Sequence, residues 1–168
     1  KKRPKVKKIK FYKFNKKNLN IIKKKFNIDI ILNCSGLTNV DECEKNKQKA
    51  KIVHIKLIET ISKIFDTKKV NFVQISTDHL FDGRKKYYSE NSKTNPLNFY
   101  GLSKLNSEKI VIKRFLKYLI IRGNFFGWGT KSRKSFSDWL LDNLKKKNKL
   151  TLFDDIYFNP LNLEIFIQ

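Results

Sequence analysis

Three observations predict an α/β fold, a parallel sheet flanked by helices. Short runs rich in Ile and Val, "IDIILN", "VNFVQIS" and "YLIIR", are apolar almost throughout, as strands covered on both faces are. The stretches between them carry apolar residues at helical spacing. Strand and helix signals alternate, which is the order of βαβ units and not of hairpins.

Each element follows from its own residues. "VKKIKFYKF", residues 6–14, alternates in polarity and predicts a strand; "NKKNLNIIKKKF" after it predicts a short helix. "IDIILN", residues 28–33, predicts an interior strand with apolar side chains for both faces. From "SGLTNV" the chain turns into "DECEKNKQKAKIVHIKLIETISKIF", a long helix with Ile52, Val53, Ile55, Ile58, Ile61 and Ile64 on its apolar side and acidic residues in its first turns. "VNFVQIS" is the second buried strand. A loop containing Gly83 and Pro96 leads to the helix "YGLSKLNSEKIVIKRF", then come the strand "YLIIR", a Gly-rich connection "GNFFGWG" and a helix around "SFSDWLLDNLKKK".

Composition bounds the function. A chain of 168 residues, 40% hydrophobic, is enough for one domain with a true core. No apolar run approaches the roughly 18 residues of a membrane span, and "KKRPKVKKIK" has no apolar stretch of the secretory kind. Two cysteines, Cys34 and Cys43, without metal-ligand spacing read as reduced, small buried residues of a cytoplasmic protein. No metal is expected. The net charge of +23 suggests nucleic acid, yet the lysines are spread along the chain and arginine is confined to Arg3, Arg84, Arg114, Arg122 and Arg133. With abundant Ile, Asn and Phe this resembles a bias toward A/T-rich codons. Weak binding to polyanions at low salt is expected, without a specific nucleic-acid partner.

The chemistry gathers at strand ends. In "NFYGLSK" Tyr100 and Lys104 stand one helical turn apart, with Cβ atoms about 5–6 Å from each other. A neighbouring ammonium favours a phenolate, so the lysine is expected to lower the pKa of Tyr100 and make it a usable acid. "QISTDHLFDG" brings Ser76, Thr77 and Asp78 out of a strand one unit earlier. A hydroxyl, a phenol and a lysine are what reduction of a carbonyl needs, with hydride from a cofactor. In an open parallel sheet "NCSGLTN", "STDHLFDG" and "RGNFFGW", each after a strand, should face one crevice.

Taken in order, "IDIILNCSGLTNVDECE", "VQISTDHLFDG", "NPLNFYGLSKLNSE" and "YLIIRGNFFG" resemble the extended short-chain dehydrogenase/reductases, in particular the dTDP-4-dehydrorhamnose reductase group and its sugar-nucleotide-binding relatives. The resemblance runs from about residue 9 to 168. It implies a Rossmann-like sheet, with a cofactor-binding core over residues 1–150 and the start of the substrate-binding region over 151–168. It implies Thr77, Tyr100 and Lys104 as the catalytic set, with Tyr100 as proton donor. Ser35, Gly36 and Leu37 match the segment lying along NADH or NADPH, together with Tyr100 and Lys104. Thr77, Asp78 and Phe125 match positions beside the nucleotide sugar, Phe125 where rhamnose-forming members tend to carry tryptophan. The implied reaction is NAD(P)-dependent reduction of a 4-keto nucleotide sugar. The alternative within the same fold is a non-catalytic sugar-nucleotide-binding or regulatory subunit.

The departures are specific. The six glycines, Gly36, Gly83, Gly101, Gly123, Gly127 and Gly129, include no phosphate-binding G-x-x-G-x-x-G turn. A fold incomplete at the N-terminus, as a fragment or truncated relative, is therefore expected. "IDIILN" left at an edge invites aggregation or a homodimer. Asn15 stands where the family often has an acidic residue near the adenine. His54 stands where it usually has asparagine, and neither His54 nor His79 is assigned a role.

Overall fold

The computed structural model describes residue 10 and residues 12–129, 134–156 and 159–168. The strand expected over residues 6–14 falls largely outside the described residues. Helix α1, Lys16–Lys25, starts where the Asn15 side chain accepts a hydrogen bond from the Asn18 amide. Asn15 is thus the cap of α1.

The long helix expected after the first strand is a broken one. Helix α2, Val40–Lys45, stops at Asn46, whose non-helical backbone lets its side chain cap α3, Lys47–Lys51. A π-helical turn, Ile52–Lys56, follows, with the Leu57 amide reaching back to the Ile52 carbonyl, and α4, Leu57–Ile64, completes the segment. Ile58, Ile61 and Ile64 of α4 are buried, three residues apart, which keeps them on one helix face.

Strands β1, Ile30–Asn33, β2, Asn71–Ser76, and β3, Lys117–Arg122, form a parallel sheet in that order, Ile31 opposite Phe72 and Phe72 opposite Tyr118. Helix α5, Phe99–Arg114, crosses from β2 to β3. Leu19, Ile58, Ile61, Ile64, Phe72, Val111 and Phe115 make the core between α1, α4, α5 and one sheet face, with Phe72 and Phe115 stacked at 4.3 Å.

The other face carries Ile30, Leu32 and Leu119, which are 63%, 59% and 55% exposed. The expectation that "IDIILN" is buried on both faces is therefore corrected. Among the described residues β1 is an edge strand, hydrogen-bonded to β2 alone, and no second helical layer covers its outer face. A small parallel sheet lies beyond: β4, Asn124–Phe126, inside the Gly-rich connection after β3, pairs with β5, Pro160–Asn162. Helix α6, Phe136–Lys145, opens on a Ser135–Asp138 capping box, and α7, Leu163–Phe166, ends the described chain.

Candidate active site

Because β1, β2 and β3 are parallel, the segments after Asn33, Ser76 and Arg122 emerge at one edge of the sheet. Contacts join them there. Asn124 donates to Asp78 across 3.3 Å, and the Leu37 amide donates to His54, whose ring stands 5.8 Å from that of Tyr100.

Thr77 is buried and caps the short 3-10 turn Asp78–Leu80, its Oγ1 accepting from the His79 amide and donating to the Asp78 carboxylate. The N-terminus of α5 is pressed against this turn. A Cβ on Gly101 would stand 2.3 Å from the His79 carbonyl oxygen, so only glycine permits the approach. The approach sets Tyr100 edge-on between the rings of His54 and His79, at 5.8 and 5.4 Å. Asn98 caps the helix through the Gly101 amide, and the Phe99 amide is held by the carboxylate of Glu44 from α2.

The electrostatics of the Tyr100–Lys104 pair differ from the expectation that the lysine lowers the phenol. Burial pushes the Tyr100 phenol above its ordinary pKa, the Thr77 hydroxyl as hydrogen-bond partner pulls it down, and the charge of Asp78 adds to the rise. Lys104 is directed elsewhere. Its Nζ donates to the Ile75 carbonyl at 2.6 Å, and the same oxygen accepts from Gln74 Nε2 at 2.8 Å. Burial lowers the ammonium pKa to about 8, against the opposing pull of Glu108. From Gln74 the network continues, since Asn33 Nδ2 donates to Gln74 Oε1 at 2.8 Å and Asn33 Oδ1 receives the Ser35 amide. One buried polar chain thus connects Lys104 to the segment after β1. Ser76 Oγ is the one buried side-chain polar atom without a partner among the described residues.

One further turn along α5, Glu108 is 1% exposed and receives Arg122 from the end of β3 through Nε and Nη2, at 3.1 and 2.7 Å. Arg122 also donates to the Glu90 carbonyl and lies over the Phe81 ring, tying the loop after β2 to the sheet. The loop is braced internally by Asp82, which accepts from the Tyr88 hydroxyl and from Asn95.

Ser35 and Gly36 are exposed at the sheet edge, and Leu37 is half-buried. Cys34 beside them is exposed, which corrects the reading of both cysteines as buried; Cys43 is buried, on the inner side of α2. Phe125 sits on β4 with its ring 4.9 Å from Phe166 and folded over Gly123. The contacts thus join Thr77, Asp78, Tyr100, Lys104 and the Ser35–Leu37 segment. Phe125 packs instead against the small second sheet. Four participants were given no role in the sequence reading: His54, Ser103, Glu108 and Arg122. A charged residue eight positions after Tyr100, on the same helix face, is the one signal that could have found Glu108.

Comparison with known proteins gives a family match over residues 7–164, to the RmlD substrate binding domain. The probable low-salt glycan biosynthesis reductase of Haloferax volcanii is 30% identical, over 80% of this chain and 46% of its own length. A dTDP-4-dehydrorhamnose reductase of Salmonella typhimurium is 29% identical, over 84% of this chain and 47% of its own. The chain therefore spans about half the length of these relatives. Among solved structures, dTDP-4-dehydrorhamnose reductase of Bacillus anthracis in complex with NADP superposes with a TM-score of 0.69 at 25% identity, covering 79% of this chain and 47% of that one.

Proposed function

The chain belongs to the family of the RmlD substrate binding domain, and from that premise we propose that it carries the proton-donating side of an NAD(P)-dependent reductase of a 4-keto nucleotide sugar. One observation supports this above others. Thr77, Tyr100 and Lys104, three side chains suited to reducing a carbonyl, stand together at the carboxyl edge of a parallel sheet, where such sheets take their ligands.

In this reading the Thr77 hydroxyl holds the 4-keto oxygen. The Tyr100 phenol, kept protonated by burial, gives its proton to that oxygen as the carbon accepts hydride. A secondary alcohol results, and the phenolate takes a proton back from water. Lys104 offers an ammonium to the phenolate and to a ribose hydroxyl. NADH or NADPH, when bound, supplies the hydride. The donor set suits the nicotinamide end of such a cofactor: an exposed Ser35–Gly36 backbone beside a phenol and an ammonium. A pyrophosphate would have to be held by residues other than the glycines of this sequence. Asp78 and Phe125 would face the nucleotide sugar, with residues 151–168 opening the substrate-binding region. The reading includes membership of the short-chain dehydrogenase/reductases, a cytoplasmic setting and a homodimer through the open edge of β1. Among the described residues no helix is long and apolar enough to cross a membrane.

The test is reduction of dTDP-linked 4-keto sugars with NADH or NADPH, followed by cofactor absorbance. Turnover by the wild-type protein that disappears in Tyr100→Phe supports the reading; a folded protein that oxidises neither cofactor with any such sugar overturns it. A second reading, a sugar-nucleotide-binding or regulatory subunit without turnover, is favoured by the Lys104 bond to Ile75, which turns the ammonium from the phenol. Saturable sugar-nucleotide binding with no cofactor oxidation would select it.

A further inference from the structure

His54 lies on the π-helical turn, 3% exposed, with both ring nitrogens engaged. Nε2 is 2.9 Å from the Leu37 amide nitrogen and Nδ1 is 2.7 Å from Ser103 Oγ. A backbone N–H can only donate, so Nε2 must be the unprotonated, accepting nitrogen. Ser103 spends its one hydroxyl proton on the Tyr100 carbonyl at 2.8 Å, so its oxygen is free to accept from Nδ1–H. The ring is thereby fixed as the neutral Nδ1–H tautomer. Hydrogen bonds run in one direction, from Leu37 N–H to His54, from His54 to Ser103, and from Ser103 to the backbone of Tyr100.

Leu37 is gripped at its other end as well. Its carbonyl accepts from Cys43 Sγ at 3.3 Å, and burial with the charges of Glu42 and Glu44 keeps that thiol protonated and able to donate. The groups around the ring oppose a charge on it. Lys104 on α5 is a like charge, the Tyr100 phenol is neutral, the Cys43 thiol is neutral, and the segment after β1 presents an N–H.

We propose that His54 is a positioning residue, a neutral strut that sets the Ser35–Leu37 segment at a fixed height against the Tyr100 turn of α5. The Ser35–Leu37 segment is the one assigned to the nicotinamide cofactor, so the consequence for catalysis rests on the reductase reading; the strut itself does not. Protonation at Nε2 would put two donors face to face and release Leu37. Phenylalanine would fill the site without holding the amide. Glutamine, whose amide oxygen reaches the position of Nε2, would restore the acceptor for Leu37.

The experiment pairs nuclear magnetic resonance with kinetics on the wild-type protein, His54→Phe and His54→Gln. In the wild type, the imidazole nitrogen shifts should report the Nδ1–H tautomer, and the Leu37 amide should exchange slowly with solvent. Exchange should quicken by about tenfold or more in His54→Phe, the loss of one buried hydrogen bond, and slow again in His54→Gln. With a 4-keto nucleotide sugar as substrate, His54→Phe should raise KM for NAD(P)H about tenfold and change kcat much less. An Nε2–H tautomer in the wild type overturns the strut even if a variant fails to fold, and a Leu37 amide that exchanges as fast in wild type as in folded His54→Phe overturns it as well. A slow Leu37 amide without any turnover keeps the strut and removes the reductase reading. Turnover with an unchanged cofactor KM in folded His54→Phe removes the positioning role.

Discussion

The Lys104 ammonium gives its 2.6 Å hydrogen bond to the carbonyl of Ile75, and not to the phenol one turn before it. The pair Lys104–Ile75 fastens α5 to the end of β2, directly ahead of Thr77. It also holds a positive charge in a site that disfavours it, since burial lowers the pKa from 10.5 to about 8. At pH 7 the lysine is charged in both folded and unfolded chains, so the penalty is present in full; it fades as pH rises from about 8 toward 10.5.

Lys104→Met should therefore separate stability from activity. The variant loses the ammonium and, on the reductase reading, most turnover. It should gain roughly 2 kcal/mol at pH 7, after allowance for the lost bond to Ile75. Urea unfolding at pH 7 and pH 10 checks this, with the advantage over wild type shrinking at the higher pH.

Tyr100→Phe keeps the ring between His54 and His79 and removes the proton. A fall in kcat of about 10²–10⁴ with a cofactor KM close to wild type is expected, measured by cofactor absorbance. In the wild-type protein the phenol, raised by burial, should remain a donor throughout the neutral range.

Glu108→Leu leaves Arg122 facing an apolar replacement and should destabilise by about 3–5 kcal/mol. The double variant Glu108→Leu with Arg122→Met should recover most of that. Denaturant midpoints of wild type, both single variants and the double variant give the coupling directly. Arg122→Met alone should also loosen the loop from Phe81 to Glu90, read as faster proteolysis there.

His54 predicts a pH window. Its pKa drops from 6.5 to about 4 because burial and the charge of Lys104 disfavour the cation. A depressed folded pKa means stability that is complete above pH 6.5 and declines as pH falls toward 4, by roughly 3 kcal/mol in all. Asp82, lowered from 3.8 to about 2 by its bond from Tyr88, acts below that window. Unfolding titrations between pH 7 and 4 should show the decline in wild type and lose most of it in His54→Asn.

What was legible in the sequence was what depends on local pattern. The apolar runs marked all three strands of the main sheet, and their alternation with helices gave its parallel order. Residue type and spacing pointed to a hydroxyl from Ser76 or Thr77 with Tyr100 and Lys104 at one strand edge, and the family resemblance singled out Thr77. The state of that pair was not legible, because the pKa of Tyr100 depends on how deeply the helix is pressed in, and that follows from Gly101 meeting His79. Nor could spacing reveal that Lys104 has a nearer acceptor in Ile75. The outer face of β1 was misread for a similar reason: apolar side chains declare what a strand can bury, and the neighbouring layer decides what it does bury. His54 looked like any histidine among isoleucines; its function lies in two partners 17 and 49 residues away.

The π-helical turn Ile52–Lys56 makes the spacing of this region a matter of residue count as well as residue type. A π turn holds one residue more than the α-helix it interrupts. With the same residues wound as ordinary α-helix instead, everything after the turn would be rotated by about 100° relative to everything before. Cys43 and Ala50 would keep their places while Ile58, Ile61 and Ile64 swung off the sheet, or the isoleucines would stay and the grip on Leu37 would be lost. The surplus residue, held in the π turn, is the phase adjustment that lets one stretch of chain serve both the core and the sheet edge.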